Sequence, residues 1–185
     1  MHVKFLAAAI GFALSAGLLV ATNDVKSRND PSEVFDRLKT LVGDWEGTFP
    51  GGKTHRINIR LTAGDTVLVE TWALGPNRES MTLYHMDDES LVATHYCPQG
   101  NQPRLQYVPA GDGDKFNFRF RDGTNLKRSK GTSHQHLFWI QLLDEKTFLR
   151  SELYVKNGSN DAEVGKLAAD EPVKYRRVET PAAIP

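Results

Sequence analysis

The sequence predicts an all-β fold, an antiparallel up-and-down barrel of about ten strands with one short N-terminal helix. Three observations lead there. From Trp45 onward apolar and polar residues alternate with a period of two: His55, Ile57, Ile59 and Leu61 stand against Arg56, Asn58 and Arg60, and Phe116, Phe118 and Phe120 against Asn117, Arg119 and Arg121. Turn residues recur at regular intervals, at Pro50-Gly51-Gly52, Ala63-Gly64-Asp65, Gly75-Pro76-Asn77, Asp87 to Ser90, Pro98 to Pro103, Gly111-Asp112-Gly113 and Asp144-Glu145-Lys146. Connections this short pair each strand with its sequence neighbour, and a long twisted meander removes its edges by closing on itself.

The helix is expected over residues 31 to 41. Asp30 supplies an N-cap, Pro31 the first helical position and Glu33 the third, while Val34, Phe35, Leu38 and Leu41 follow at helical spacing before Gly43 ends the run. Such an amphipathic helix needs a surface to lie on. Strands are expected at 45–49, 54–62, 66–73, 80–86, 91–97, 104–109, 115–120, 134–143, 147–156 and 172–178, with the longest connection from Asp122 to Ser133. Asn157-Gly158-Ser159 fits an N-glycosylation pattern, but Asn-Gly is also a strong hairpin signal and suits the flanking strands better.

Ahead of the helix, Lys4 precedes an uncharged run from Phe5 to Ala21, and Thr22-Asn23-Asp24 then turns polar. That layout reads as a secretory signal peptide over 1–21, cleaved near Ala21, followed by a polar leader over 22–30. The expected domain spans 31–178, with a Pro/Ala-rich flexible tail over 179–185. Localisation follows as exported, periplasmic or secreted, with no permanent membrane span after cleavage. The chain of 185 residues holds 23 basic and 23 acidic side chains and one cysteine. Charge balance gives no field to steer a polyanion, so a nucleic-acid partner is not expected, and a lone Cys97 excludes an intramolecular disulfide framework.

Gly43-Asp44-Trp45, between the helix and the first strand, resembles the Gly-x-Trp signature of the calycin superfamily, which includes the lipocalins and fatty-acid-binding proteins. The resemblance implies that Trp45 closes one end of the barrel beneath an Arg of the last strand, for which Arg176 and Arg177 are the candidates. Thr94-His95-Tyr96-Cys97-Pro98-Gln99-Gly100-Asn101-Gln102-Pro103-Arg104 looks like a signature of small exported bacterial barrels, and this likeness implies the same fold without an activity. Fatty-acid-binding proteins hold a ligand carboxylate with Arg-x-Tyr on the last strand. Here Tyr175 and Arg176 are adjacent, which puts them on opposite faces. The barrel also resembles the haem-binding nitrobindins in its Gly-x-Trp alone.

A small closed barrel either fills its interior or encloses one small ligand. The expectation is a binding module for a small apolar or amphipathic molecule, with Tyr84, His85, His95, Cys97, Asn101, Gln102 and Arg104 as the candidate ligand-contacting residues. Asn101, Gln102 and Arg104 stand in a turn more polar than a hairpin needs, where the amides either read a ligand head or cap their own backbone. No cofactor is favoured. Haem or a transition metal on lumen histidines is the alternative, and His134 and His136 are its candidate ligands because alternate strand residues share a face roughly 7 Å apart. A second alternative is a small enzyme using Cys97 or a lumen histidine, although His95 on the same strand points parallel to Cys97 and no catalytic set is recognisable. The sequence does not fix the oligomeric state.

Overall fold

The computed structural model describes residues 27–76, 78–111, 113–126, 132–159 and 161–179. The expected signal peptide, the leader up to residue 26 and the tail beyond Glu179 lie outside the described residues. The chain runs through α1 (Pro31–Lys39), β1 (Gly43–Thr48), β2 (Thr54–Thr62), β3 (Val67–Gly75), β4 (Arg78–Asp87), β5 (Ser90–Tyr96), β6 (Gln102–Val108), β7 (Lys115–Thr124), β8 (Ser133–Asp144), β9 (Thr147–Lys156), α2 (Asp161–Val164) and β10 (Val173–Arg177). Every pairing is antiparallel, each strand pairs with its sequence neighbours, and β1 closes the barrel by pairing with β10 as well as β2.

The helix begins as its cap dictates. The Asp30 carboxylate accepts from the Ser32 backbone N–H at 2.9 Å, satisfying a donor that the first turn leaves open. It ends at Lys39, short of the expected residue 41, because Thr40 and Leu41 turn back on carbonyls three residues earlier. Val34, Phe35 and Leu38 are buried among the barrel's own core residues, so α1 plugs one end. Across that end Arg37 stacks 4.7 Å from the Phe116 ring centroid and donates to the Gly113 carbonyl at 2.5 Å.

Trp45 is completely buried, and its indole N–H donates to the Leu41 carbonyl at 2.7 Å. Of the two arginine candidates, Arg177 covers it, with its guanidinium 4.2 Å from the ring; Arg176 is exposed opposite Glu46. Arg177 also donates to the carbonyls of Val42 at 2.6 Å, Thr40 at 2.9 Å and Glu145 at 3.2 Å, tying the helix exit to the β8–β9 turn. Gly43 makes this possible. Its φ is +137°, and a Cβ there would stand 2.5 Å from the Arg177 Nη1.

Two connections differ from expectation. β6 starts at Gln102 and β7 continues to Thr124, so the Pro98–Pro103 turn is shorter and the Asp122–Ser133 loop later than the polar residues suggest. Asn157-Gly158 opens a long connection, which carries α2, rather than a tight hairpin. Asp170 donates its N–H to the Glu152 carbonyl at 2.9 Å and accepts from the Ser151 hydroxyl at 2.5 Å, so the segment lies back along β9 before β10 begins. Local turn chemistry sets the bend but not the length of chain that follows it.

Candidate functional site

Strand alternation sets the inside of the barrel in two halves. Toward α1 it is filled by Ile59, Leu68, Leu91, Phe116, Ile140 and Phe148, all buried. The opposite end, at the 49–53 and 97–101 turns, opens into a cavity of 230 Å³. Phe49, Trp72, Leu74 and Tyr154 give it aromatic and apolar walls, and His55, Ser80, His95, Cys97, Arg150 and Glu152 give it polar ones. Larger depressions exist, including one of 680 Å³ between α1 and the β8–β9 turn, but they are surface grooves outside the lumen.

The floor of the cavity is a buried charge cluster. Arg150 on β9 and Glu70 on β3 are both 2 % exposed, with Nε 3.4 Å from Oε1. Glu70 is well served: the Trp72 indole donates to it at 2.5 Å, and the Tyr84 hydroxyl donates to its other oxygen. Arg150 lies between the Trp72 and Phe138 rings, 5.0 and 4.4 Å from their centroids. A guanidinium stacked this way keeps its plane shielded while its edge remains free to donate. That edge is not filled: Nε and Nη1 have no hydrogen-bond partner among the described residues. Burial opposes the Arg150 charge, but Glu70, Tyr84 and Glu152 outweigh it and raise its pKa, so the group is a permanent cation.

Glu152 is the second acid. It accepts from Gln135 at 2.7 Å and stands 3.7 Å from Arg150 Nη2, a longer and weaker pairing than that of Glu70. Burial pushes its pKa up, more than Arg150 and Gln135 draw it down. His95, 3 % exposed, sits between Thr82 and Tyr154, with Nδ1 3.0 Å from the Thr82 hydroxyl and Nε2 3.3 Å from the Tyr154 hydroxyl. Burial, with Arg150 adding to it, lowers its pKa to about 4, so the ring is neutral near pH 7. Burial also raises the pKa of Tyr84, Tyr154 and Tyr175, so these phenols remain protonated donors.

The structure brings together His95, Cys97 and Tyr84 among the residues expected at a site. His95 and Cys97 line the cavity, and Tyr84 lies beneath it on Glu70. The others go elsewhere. Arg104 is exposed and paired with Asp122, and Gln102 accepts from Thr124 at 2.6 Å. His85 sits on the β4 face opposite Tyr84, with Nδ1 3.1 Å from the Met86 carbonyl. Asn101 is buried, but it donates to the Ser133 carbonyl at 2.8 Å and so latches the 97–101 turn to β8.

His134 and His136 share neither the cavity nor a simple strand register, because a bulge falls between Gln135 and Leu137. His134 Nδ1 is 2.7 Å from Asn157 Oδ1, and its Nε2 is 3.2 Å from His136 Nδ1, while both rings pack on Phe120. Among the described residues no group of three or more His, Cys, Asp or Glu side chains is placed to hold a metal ion.

Sequence reasoning missed Glu70, Gln135, Arg150 and Glu152. One signal was present: Glu70 and Arg150 interrupt apolar alternation at positions whose strand partners face the core. The fold is a closed antiparallel barrel of ten strands, a topology consistent with a calycin-like barrel. No protein-family model matches the chain, and no curated protein matches it in sequence.

Proposed function

We propose that this chain is an exported binding protein that takes one small amphipathic molecule into the mouth of its barrel. The apolar part lies against Phe49, Trp72 and Leu74, and the polar end reaches Arg150. One observation carries this reading: a cavity open to solvent leads to a buried guanidinium with unfilled donors. Leaving a buried donor unpaired costs about 1 to 3 kcal/mol, more when it is charged, and a ligand acceptor removes that cost. His55 Nδ1, also buried and without a partner among the described residues, faces the same problem from β2. The lysine and uncharged run at the N-terminus support export.

The cavity also bounds the ligand. A volume of 230 Å³ is about eight water molecules' share of liquid, and lies below the usual range for drug-sized ligands. A molecule on the order of ten heavy atoms fits, and a long acyl chain does not fit without displacing the helix-end core. Native mass spectrometry of the mature chain from its own compartment should show one small retained molecule. Ser80→Phe, which fills the mouth from β4, should release it while leaving the fold intact by circular dichroism. Retention of the same molecule by the filled variant would sink the reading.

A further inference from the structure

We infer that the polar end of the ligand is a carboxylate seated on Arg150, and that each molecule enters with one proton, which Glu152 keeps. This rests on the reading of the mouth as a binding site and goes on to name its ligand class. Charge confined in a small buried site leads to both statements. The cluster holds one fixed cation, Arg150, and two carboxyl groups, Glu70 and Glu152, with His95 neutral beside them. The unfilled Nη1 asks for an acceptor, and a carboxylate is the acceptor whose planar pair of oxygens matches the guanidinium edge. Its arrival would put three negative groups around one positive one. In a low-dielectric site that arrangement is relieved by a proton.

Geometry selects the group that takes it. Glu70 accepts from Trp72 and Tyr84 and stands 3.4 Å from Arg150 Nε, so its ionised form is held by two hydrogen-bond donors and the nearer side of the guanidinium charge. Glu152 has one short bond, from Gln135, and a distant guanidinium. Gln135 is fully buried, and its Oε1 has no partner. Its amide therefore serves either state of Glu152: in the present orientation the NH₂ donates to the carboxylate, and a half-turn presents the unused oxygen to a carboxylic acid O–H. Proton balance is simple, since the ligand carboxylate stays ionised on Arg150 and the proton from water comes to rest on a Glu152 oxygen. The raised pKa of Glu152 acts in the same direction.

Glu152 is surrounded by other charged and titratable groups. They are Arg150 and Tyr154 on β9, Glu70 on β3, Tyr84 on β4, Tyr175 on β10 and Asp170 in the returning segment, with His95 on β5, Cys97 just after it, and Arg78 and His55 also lining the cavity. Of the acids among them, only Glu152 both lines the cavity and has an amide able to serve its two states.

The test is calorimetric titration of the full mature chain with benzoate, and with neutral benzamide, between pH 6 and pH 8. Each titration is run in two buffers of different ionisation enthalpy, so that the difference reads protons. Benzoate should bind with close to one proton taken up, and its affinity should fall about tenfold per pH unit wherever that uptake is complete. Glu152→Gln should bind benzoate with no proton uptake and no pH slope. Benzoate binding without proton uptake in the wild type would overturn this inference and leave the mouth a binding site. Benzamide binding as tightly as benzoate would overturn the carboxylate assignment. If neither probe binds, the reading of the mouth falls and this inference falls with it.

Discussion

The two ends of the barrel are built from the same alternating strands and reach opposite outcomes. At the helix end the inward side chains are large and apolar, and the α1 plug covers them. Trp45 meets Phe148 edge-on at 4.8 Å, and Phe148 stacks on Tyr175 at 5.0 Å. At the mouth, the same inward positions on β3, β4, β5 and β9 carry Glu70, Ser80, Thr82, His95, Arg150 and Glu152. Burying those groups is unfavourable unless each is paired, and Arg150 Nε and Nη1 are not. The lesson is a division of labour: the helix end supplies stability, and the mouth holds unpaired groups that a ligand can complete.

The sharpest way to break this comparison is Trp45→Ala. Removing a fully buried indole that also receives Arg177 should cost about 3 to 5 kcal/mol, read as a shift in the urea midpoint. A cost below about 1 kcal/mol would mean that the helix end is not where stability resides.

Next comes the acid sensitivity of the mouth. Free histidine titrates near 6.5, and the folded protein lowers His95 to about 4, so the unfolded chain binds the proton more readily between those values. His95 therefore contributes stability that is present above about pH 6.5 and lost as pH falls toward 4, at most roughly 3 kcal/mol. Glu152 works in the opposite sense, because a raised carboxyl pKa favours the folded state at low pH. The comparison that isolates His95 is the pH dependence of unfolding in the wild type against His95→Gln, which should flatten the slope between pH 6.5 and 4.

A smaller effect is expected where the two halves meet. A Cβ on Gly47 would stand 2.7 Å from the Tyr175 ring and 2.9 Å from Val173, so Gly47→Ala should destabilise by about 1 to 3 kcal/mol through overpacking. Pairing it with Tyr175→Phe, which keeps the ring, should not relieve the cost, whereas Tyr175→Ala should. The smallest change tests the plug alone. Asp30→Ala removes the helix N-cap and should lower stability by about 1 kcal/mol, with no effect on the mouth's uptake of benzoate.

Much of the architecture was legible in the chain. The extents expected for β2 and β9 agree with the structure residue for residue, because His55-Ile57-Ile59-Leu61 alternates cleanly and Asp144-Glu145-Lys146 marks the turn before Thr147. The Gly43-Asp44-Trp45 run located the closing tryptophan. What chose Arg177 over Arg176 was pairing, since Trp45 lies opposite Arg177 and the alternate residue points to solvent. The candidate site was legible only in part. His95 and Cys97 stand out locally, being alternate residues at the end of β5 and just beyond it, whereas Arg104 and Gln102 attract notice for polarity and then spend it on Asp122 and Thr124.

By itself, then, the sequence determined α1, the ten strands and their meander, but not α2 or the long connection before β10, because period, caps and turns are properties of a few consecutive residues. Tertiary structure alone decided the functional half. Glu70 and Arg150 are eighty residues apart in the chain, and each looks like an ordinary charged strand residue until register carries both inward to meet between Trp72 and Phe138. A one-residue slip in either strand would put its charge in water, so the site exists only through the pairing of β3 and β9 with their neighbours around a closed barrel.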